Sequence, residues 1–178
     1  MTQEIYQKAI KFAGEKHSDQ KVPGTNSNYL LHISNVAMEI LMAYNAKSNF
    51  DIEYAIQVAI LHDTIEDTET DFNEIKIEFG ESIAVGVHAL TKDKSLPSKK
   101  EQMIDSLNRI NNLRKEVGMV KLADRITNLQ APPNYWSKEK TSNYLEEAKM
   151  LDRILKDKNE CLNIRLKNKI EEYEIYTK

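Results

Sequence analysis

His62 and Asp63 follow directly on the apolar run Val58, Ala59, Ile60 and Leu61, and a second acidic pair, Glu66 and Asp67, comes within one helical turn. A stretch that begins as buried core seldom continues into four ionisable groups unless those groups have partners. On a helix running through this stretch, His62 and Glu66 stand four apart and Asp63 and Glu66 three apart, so they address one region. His62 and Asp63 diverge by about a hundred degrees on such a helix, yet both can reach one ion lying between their directions. Upstream, His32 sits in the apolar helix start YLLHISNVA. Downstream, Asp124 interrupts VKLADRI, with Asn128 one turn later on the same face.

His32, His62, Asp63 and Asp124 are two imidazoles and two carboxylates from three segments far apart in the chain. Mixed nitrogen and oxygen donors suit manganese, iron or zinc better than magnesium or calcium, which favour oxygen shells. A divalent ion would offset carboxylates that are costly to bury, and it would lower the pKa of a bound water toward neutrality. Taken singly, each residue has a plainer reading. His32 alone is a hydrogen-bonded core histidine, the His-Asp dipeptide arises by chance, and Asp124 pairs with Lys121 three residues before it. The ordered set, each member flanked by apolar residues, favours the metal. His17 and His88 fall outside it, His17 as a polar residue at a loop edge and His88 as an ordinary helix histidine.

The elements that must position these groups are helical. The spacing predicts a first helix over 3–17 capped by Thr2, then a loop SDQKVPGTNSN, then a helix through YLLHISNVAMEILMAYNA. Asp51 is expected to cap a helix that continues into AIQVAILHDTIED, and Asp71 a short helix ending near Gly80. Helices over 82–90, through EQMIDSLNRI and through VGMVKLADRITNL follow, the last ending before Pro132 and Pro133. Two long helices close the chain. Tyr144, Ala148, Leu151 and Leu155 form an apolar stripe on the first of them. Tyr135 and Trp136 are expected to pack a helix junction. No segment alternates as a strand does, so the fold class is all-α, one compact multi-helix domain over 1–178 with a C-terminal helix at 159–177.

With 178 residues, 30% charged and 40% hydrophobic, the chain is long enough for one core. A net charge of -3 argues against a nucleic-acid binder. The single cysteine, Cys161, suits a reducing cytoplasm, and neither a signal peptide nor a membrane-length apolar run is visible. Lys92, Lys94, Lys99 and Lys100 make a basic loop that could face phosphates or simply be solvated. The composition leaves homo-oligomerisation open.

The segments KHSDQ with His17 and Gln20, YLLH with Tyr29, AILHDTIEDT, FGESIAVGVHALTKDKSLP, VKLADRITNL and NYLEEAK resemble the HD phosphohydrolase superfamily. Within it, they resemble the hydrolase domain of the RelA/SpoT alarmone enzymes and the small alarmone hydrolases, chiefly over 5–155. The resemblance implies an all-α HD domain that hydrolyses guanosine 3′,5′-bis(diphosphate), ppGpp, to release 3′-pyrophosphate, with Mn²⁺ as cofactor (Fe²⁺, Co²⁺ and Zn²⁺ being compatible). It implies His32, His62, Asp63 and Asp124 as metal ligands, Glu66 and Asp67 as the acidic pair handling water and protons, Asn128 as a residue placing nucleotide and water, and Tyr144 as lining the nucleotide pocket. The chain departs from the pattern where members commonly carry an arginine-lysine pair for base and phosphates. Val22 and Pro23 stand there, and Lys21 is the basic residue on offer. That departure keeps a phosphatase of another nucleotide, such as NADPH, as an alternative. A nucleotide-binding or partner-binding module without turnover is a further one.

Overall fold

A computed structural model describes residues 2–178. Ten α-helices are found among them: α1 (Thr2–Lys16), α2 (Leu30–Ala46), α3 (Ile52–Leu61), α4 (Thr64–Asp67), α5 (Phe72–Phe79), α6 (Glu81–Leu90), α7 (Lys99–Asn111), α8 (Lys115–Asn128), α9 (Lys138–Ile154) and α10 (Glu160–Tyr173). A 3₁₀ turn (Glu174–Tyr176) follows. The only β-type pairing among the described residues is an isolated bridge between Lys21 and Asn28, so the all-α expectation holds. No helix among them is long and apolar enough to cross a membrane.

Short polar side chains start five of these helices by accepting from the first free N–H groups. Asp51 accepts from Tyr54 N at 3.0 Å, Asp71 from Glu74 N at 2.9 Å and Asn159 from Leu162 N at 3.0 Å. At α7, Ser98 Oγ accepts from Glu101 N at 3.1 Å and donates to the Glu101 carboxylate at 2.7 Å. Such a capping residue explains why the basic loop stops at Ser98 and Lys99 is already helical.

Two helices are buried nearly all round. In α3, Tyr54 to Ile56 and Val58 to Leu61 are buried; in α8, every residue from Glu116 to Thr127 is. Their N-termini are tied together. Arg114 donates to Asp51 at 2.9 Å and to Glu116 at 3.1 Å, and Glu116 accepts from Asp51 N at 3.0 Å. The two helices therefore run parallel, and a rise of about 1.5 Å per residue carries His62 and Asp124 to similar heights. Helix α2 packs on both and brings His32 to the same place. Helix α10 packs on α8, α9 and α2, covering the core with Leu162, Leu166 and Tyr173.

Ile56 is fully buried in α3. Ile56→Ala leaves a cavity there and is expected to lower stability by about 2–5 kcal/mol, read from the midpoint and slope of urea unfolding.

Candidate metal centre

The helix expected to run unbroken from Asp51 past Glu66 breaks at His62–Asp63. Thr64 Oγ1 donates to Leu61 O at 2.6 Å and takes up a carbonyl at the end of α3. Asp63 then adopts φ -102° and ψ -1°, and a new turn, α4, begins at Thr64. The break removes the divergence that a continuous helix would impose. His62 Nε2 lies 2.9 Å from Asp63 Oδ2.

His32 Nε2 stands 3.3 Å from His62 Nε2, 3.7 Å from Asp63 Oδ2 and 3.5 Å from Asp124 Oδ1. One donor atom each from His32, His62 and Asp124 falls within 4.8 Å of the others. Both imidazoles are oriented from behind. His62 Nδ1 donates to Ala59 O at 2.8 Å. Thr127 Oγ1 spends its proton on Asp124 O at 2.9 Å, so at 3.3 Å it can only accept from His32 Nδ1. Each Nε2 is thereby the nitrogen turned inward, the arrangement that metal-binding histidines need.

Two inward nitrogens 3.3 Å apart beside two carboxylates call for a positive charge between them. Without a metal, a proton fills that role. Burial alone would lower the pKa of His62, but the Asp63 and Asp124 carboxylates outweigh it and raise the group from 6.5 to about 9. Burial and the His62 charge together push His32 down. Asp63 is driven far below the carboxylate range against its own burial, by His62, His32 and the Tyr29 hydroxyl, which donates to its Oδ2 at 2.5 Å. Asp124 is brought to about 2, again against burial, by the Lys121 ammonium 2.9 Å from its Oδ2 and by the two imidazoles. The donor set fits a divalent ion of mixed nitrogen and oxygen preference, with His32, His62, Asp63 and Asp124 as the residues that would hold it.

The other sequence-predicted residues surround this cluster. Asn128 donates to Asp124 Oδ1 at 2.6 Å. Asp67 accepts from Gln20 at 3.0 Å, and its pKa is raised by burial and by Asp63. Glu66 is held by Lys92, whose main-chain N–H donates at 3.0 Å and whose Nζ donates at 3.2 Å; Lys94 Nζ donates to the Glu66 carbonyl at 3.0 Å. Lys92 thus answers a carboxylate of the site. Lys94, Lys99 and Lys100 join it along a cleft of about 940 Å³ that also reaches Lys140, Trp136 and Tyr144.

A second cavity, about 200 Å³, lies on the other side of Tyr144 and Trp136 and includes His32, Asn128, Val22 and Pro23. Its remaining lining carries no charged side chain. Gly24 (φ +79°) lets the 20–28 loop turn tightly against Pro133, which would lie 3.1 Å from a Cβ at that position. Lys21 is exposed and outside both linings, because it pairs through its backbone with Asn28 while Val22 turns inward. Tyr144 lines both cavities and stacks on the Arg125 guanidinium at 4.0 Å.

Some of these residues sit differently from the expectation. His17 does follow α1 at the loop edge, but it is 1% exposed, because the loop folds back and Tyr29 covers it at 5.0 Å between rings. Trp136 packs edge-on against Tyr144 of α9 at 5.2 Å, as a junction residue should, and also borders both cavities, whereas Tyr135 is largely exposed. Tyr29, marked in the sequence only as part of the resembling YLLH segment, donates to Asp63, and Thr127, not marked at all, accepts from His32. Their signal is spacing: Tyr29 is three residues before His32, and Thr127 three after Asp124.

An all-helical core gathering a His-Asp step with a preceding histidine and a later aspartate defines an HD domain. The chain belongs to the HD domain family, whose profile matches residues 9–151. It is similar to guanosine-3′,5′-bis(diphosphate) 3′-pyrophosphohydrolase MESH1 of Danio rerio, 33% identical over 162 residues that span 88% of this chain and 87% of the relative. It is 38% identical over 129 residues to guanosine-3′,5′-bis(diphosphate) 3′-pyrophosphohydrolase of Aquifex aeolicus, a match covering 71% of this chain and 18% of that longer protein. The solved structure of a metazoan ortholog of SpoT, described as hydrolysing ppGpp with a role in starvation responses, superposes with a TM-score of 0.81 at 25% identity, covering 94% of both chains.

The protonated His62 stabilises the metal-free protein fully below pH 6.5, and that contribution is lost as pH rises through about 9. Metal uptake has to expel the same proton. Calorimetry with Mn²⁺ in buffers of different ionisation enthalpy is expected to show release of about one proton near pH 7, with affinity rising about tenfold per pH unit until His62 is neutral.

Proposed function

We propose that this chain is a metal-dependent hydrolase of guanosine 3′,5′-bis(diphosphate) and its pentaphosphate analogue, releasing 3′-pyrophosphate, with Mn²⁺ as the metal and His32, His62, Asp63 and Asp124 as its ligands. The observation that carries this reading is the buried cluster of His32, His62 and Asp124 with the half-buried Asp63 carboxylate against it, next to two further acids, Glu66 and Asp67, in a chain related along most of its length to enzymes of that name. A bound divalent ion supplies a hydroxide equivalent near neutral pH and offsets phosphate charge.

The protein's own residues do the rest. In the reaction a water oxygen bonds to the phosphorus attached to the ribose 3′ oxygen, the bond from that phosphorus to the 3′ oxygen breaks, and the water's proton ends on the 3′ oxygen. Glu66, tethered by Lys92, orients the water. Asp67, whose raised pKa suits proton exchange, takes its proton and returns it to the departing oxygen. Asn128 keeps Asp124 Oδ1 in register and presents its amide at the small cavity. Two cavities meeting at Tyr144 and Trp136 match a ligand with two unlike ends. The lysine-bearing cleft suits phosphates, and the uncharged cavity suits a nucleoside.

The uncharged lining at Val22 and Pro23 favours one second reading, an HD phosphatase of another nucleotide such as NADPH. Incubation with ppGpp and Mn²⁺ is expected to yield GDP and pyrophosphate, faster than any phosphate release from NADPH under the same conditions. A reversed preference would transfer the assignment to the second reading, and tight nucleotide binding without product under Mn²⁺, Fe²⁺, Co²⁺ and Zn²⁺ would make the chain a binding module. Asp63→Ala is expected to abolish turnover together with metal binding. Glu66→Gln is expected to keep the metal and lose roughly 10²–10⁴-fold in kcat, checked by parallel metal analysis and steady-state kinetics.

A further inference from the structure

His17 is buried to 1% exposure, and its Nε2 has no hydrogen-bond partner. Its Nδ1 lies 2.5 Å from Gln20 Oε1, and Gln20 Nε2 donates to Asp67 Oδ2 at 3.0 Å. The direction of this chain of bonds follows from the acceptor at its end. An ionised carboxylate only accepts, so Gln20 turns its NH₂ toward Asp67 and its carbonyl toward His17. That carbonyl requires the proton of a neutral imidazole to sit on Nδ1, which leaves Nε2 bare. A leucine would fill a similar volume without burying an orphaned nitrogen, so packing does not account for a histidine here.

The surrounding turn is built to hold it. Asn28 Nδ2 donates to the carbonyls of His17 at 3.4 Å and Ser18 at 2.9 Å. Tyr29 lies over the imidazole and sends its own hydroxyl to Asp63. The segment between α1 and α2 therefore reaches two carboxylates of the site, Asp63 through Tyr29 and Asp67 through Gln20.

We propose that His17 is a positioning residue: its Nδ1–H fixes the orientation of Gln20, whose amide holds Asp67 by Oδ2 and leaves Oδ1 for the proton in transit. The inference rests on Asp67 being the proton carrier of the proposed reaction. The effect falls on turnover and not on nucleotide affinity, because neither His17 nor Gln20 lines the two cavities.

The test uses the Mn²⁺-loaded protein with ppGpp. His17→Leu and Gln20→Met are each expected to lower kcat roughly 10–100-fold, with KM within about twofold and bound Mn²⁺ unchanged. His17→Asn, whose amide can donate from the Nδ1 position, is expected to restore most of the loss. In an Asp67→Asn background, itself slow, His17→Leu should add nothing. Full kcat in Gln20→Met, failure of the asparagine to rescue, or multiplying losses in the double variant would each overturn the relay. Full kcat in Asp67→Asn would remove the proton carrier and the relay with it. A measurement independent of turnover separates the two readings: ¹⁵N-histidine NMR of the metal-loaded protein should show His17 protonated on Nδ1 and bare on Nε2. A proton on Nε2 overturns the relay even if ppGpp is hydrolysed, and the expected tautomer supports it even if ppGpp is not the substrate.

Discussion

Two carboxylates and two imidazole nitrogens are packed together where little water reaches them, Asp63 being the most open, and that crowding demands positive charge. Isolated, each buried anion would cost several kcal/mol. The chain meets the demand in layers. Lys121 sits against Asp124, Tyr29 donates to Asp63, and in the metal-free state a proton on His62 bridges to Asp63. A divalent cation would replace that proton, while the backing bonds from Ala59 and Thr127 keep both Nε2 atoms turned inward.

The fold serves this gathering by joining parallel helices at one end. The Arg114 bonds to Asp51 and Glu116 align the starts of α3 and α8, and the core between them sets their spacing. Residues some ten positions further along therefore meet. An interruption is then needed at the meeting point, since a continuous helix would point Asp63 away from His62. Thr64 supplies it by taking the Leu61 carbonyl. The acids of the following turn, Glu66 and Asp67, are each restrained by a neighbour from another segment, Lys92 and Gln20 respectively.

Much of the architecture is legible in the amino-acid order. Helical spacing and the caps at Asp51 and Asp71 locate most of the elements to within a residue or two, though not the break after Leu61 or the end of α10 at Tyr173, and the absence of alternation fits a fold without a sheet. The residues that could bind a metal stand out because each interrupts an apolar stretch. The tyrosine and threonine behind them do not, since their roles lie in the direction of one hydrogen bond. The basic loop likewise looks uniform in sequence, whereas in space all four lysines border the cleft but only Lys92 and Lys94 are bonded to Glu66.

By itself the sequence determined an all-helical domain and a set of nitrogen and oxygen donors suited to a transition metal, because periodicity and side-chain chemistry are local properties. Only the tertiary structure decided that the helix breaks between His62 and Asp63, that His17 is buried, and that an uncharged cavity and a lysine-bearing cleft meet at Tyr144. Those outcomes depend on which distant groups compete for one carbonyl, one proton or one patch of apolar surface, and that competition exists only once the helices have packed.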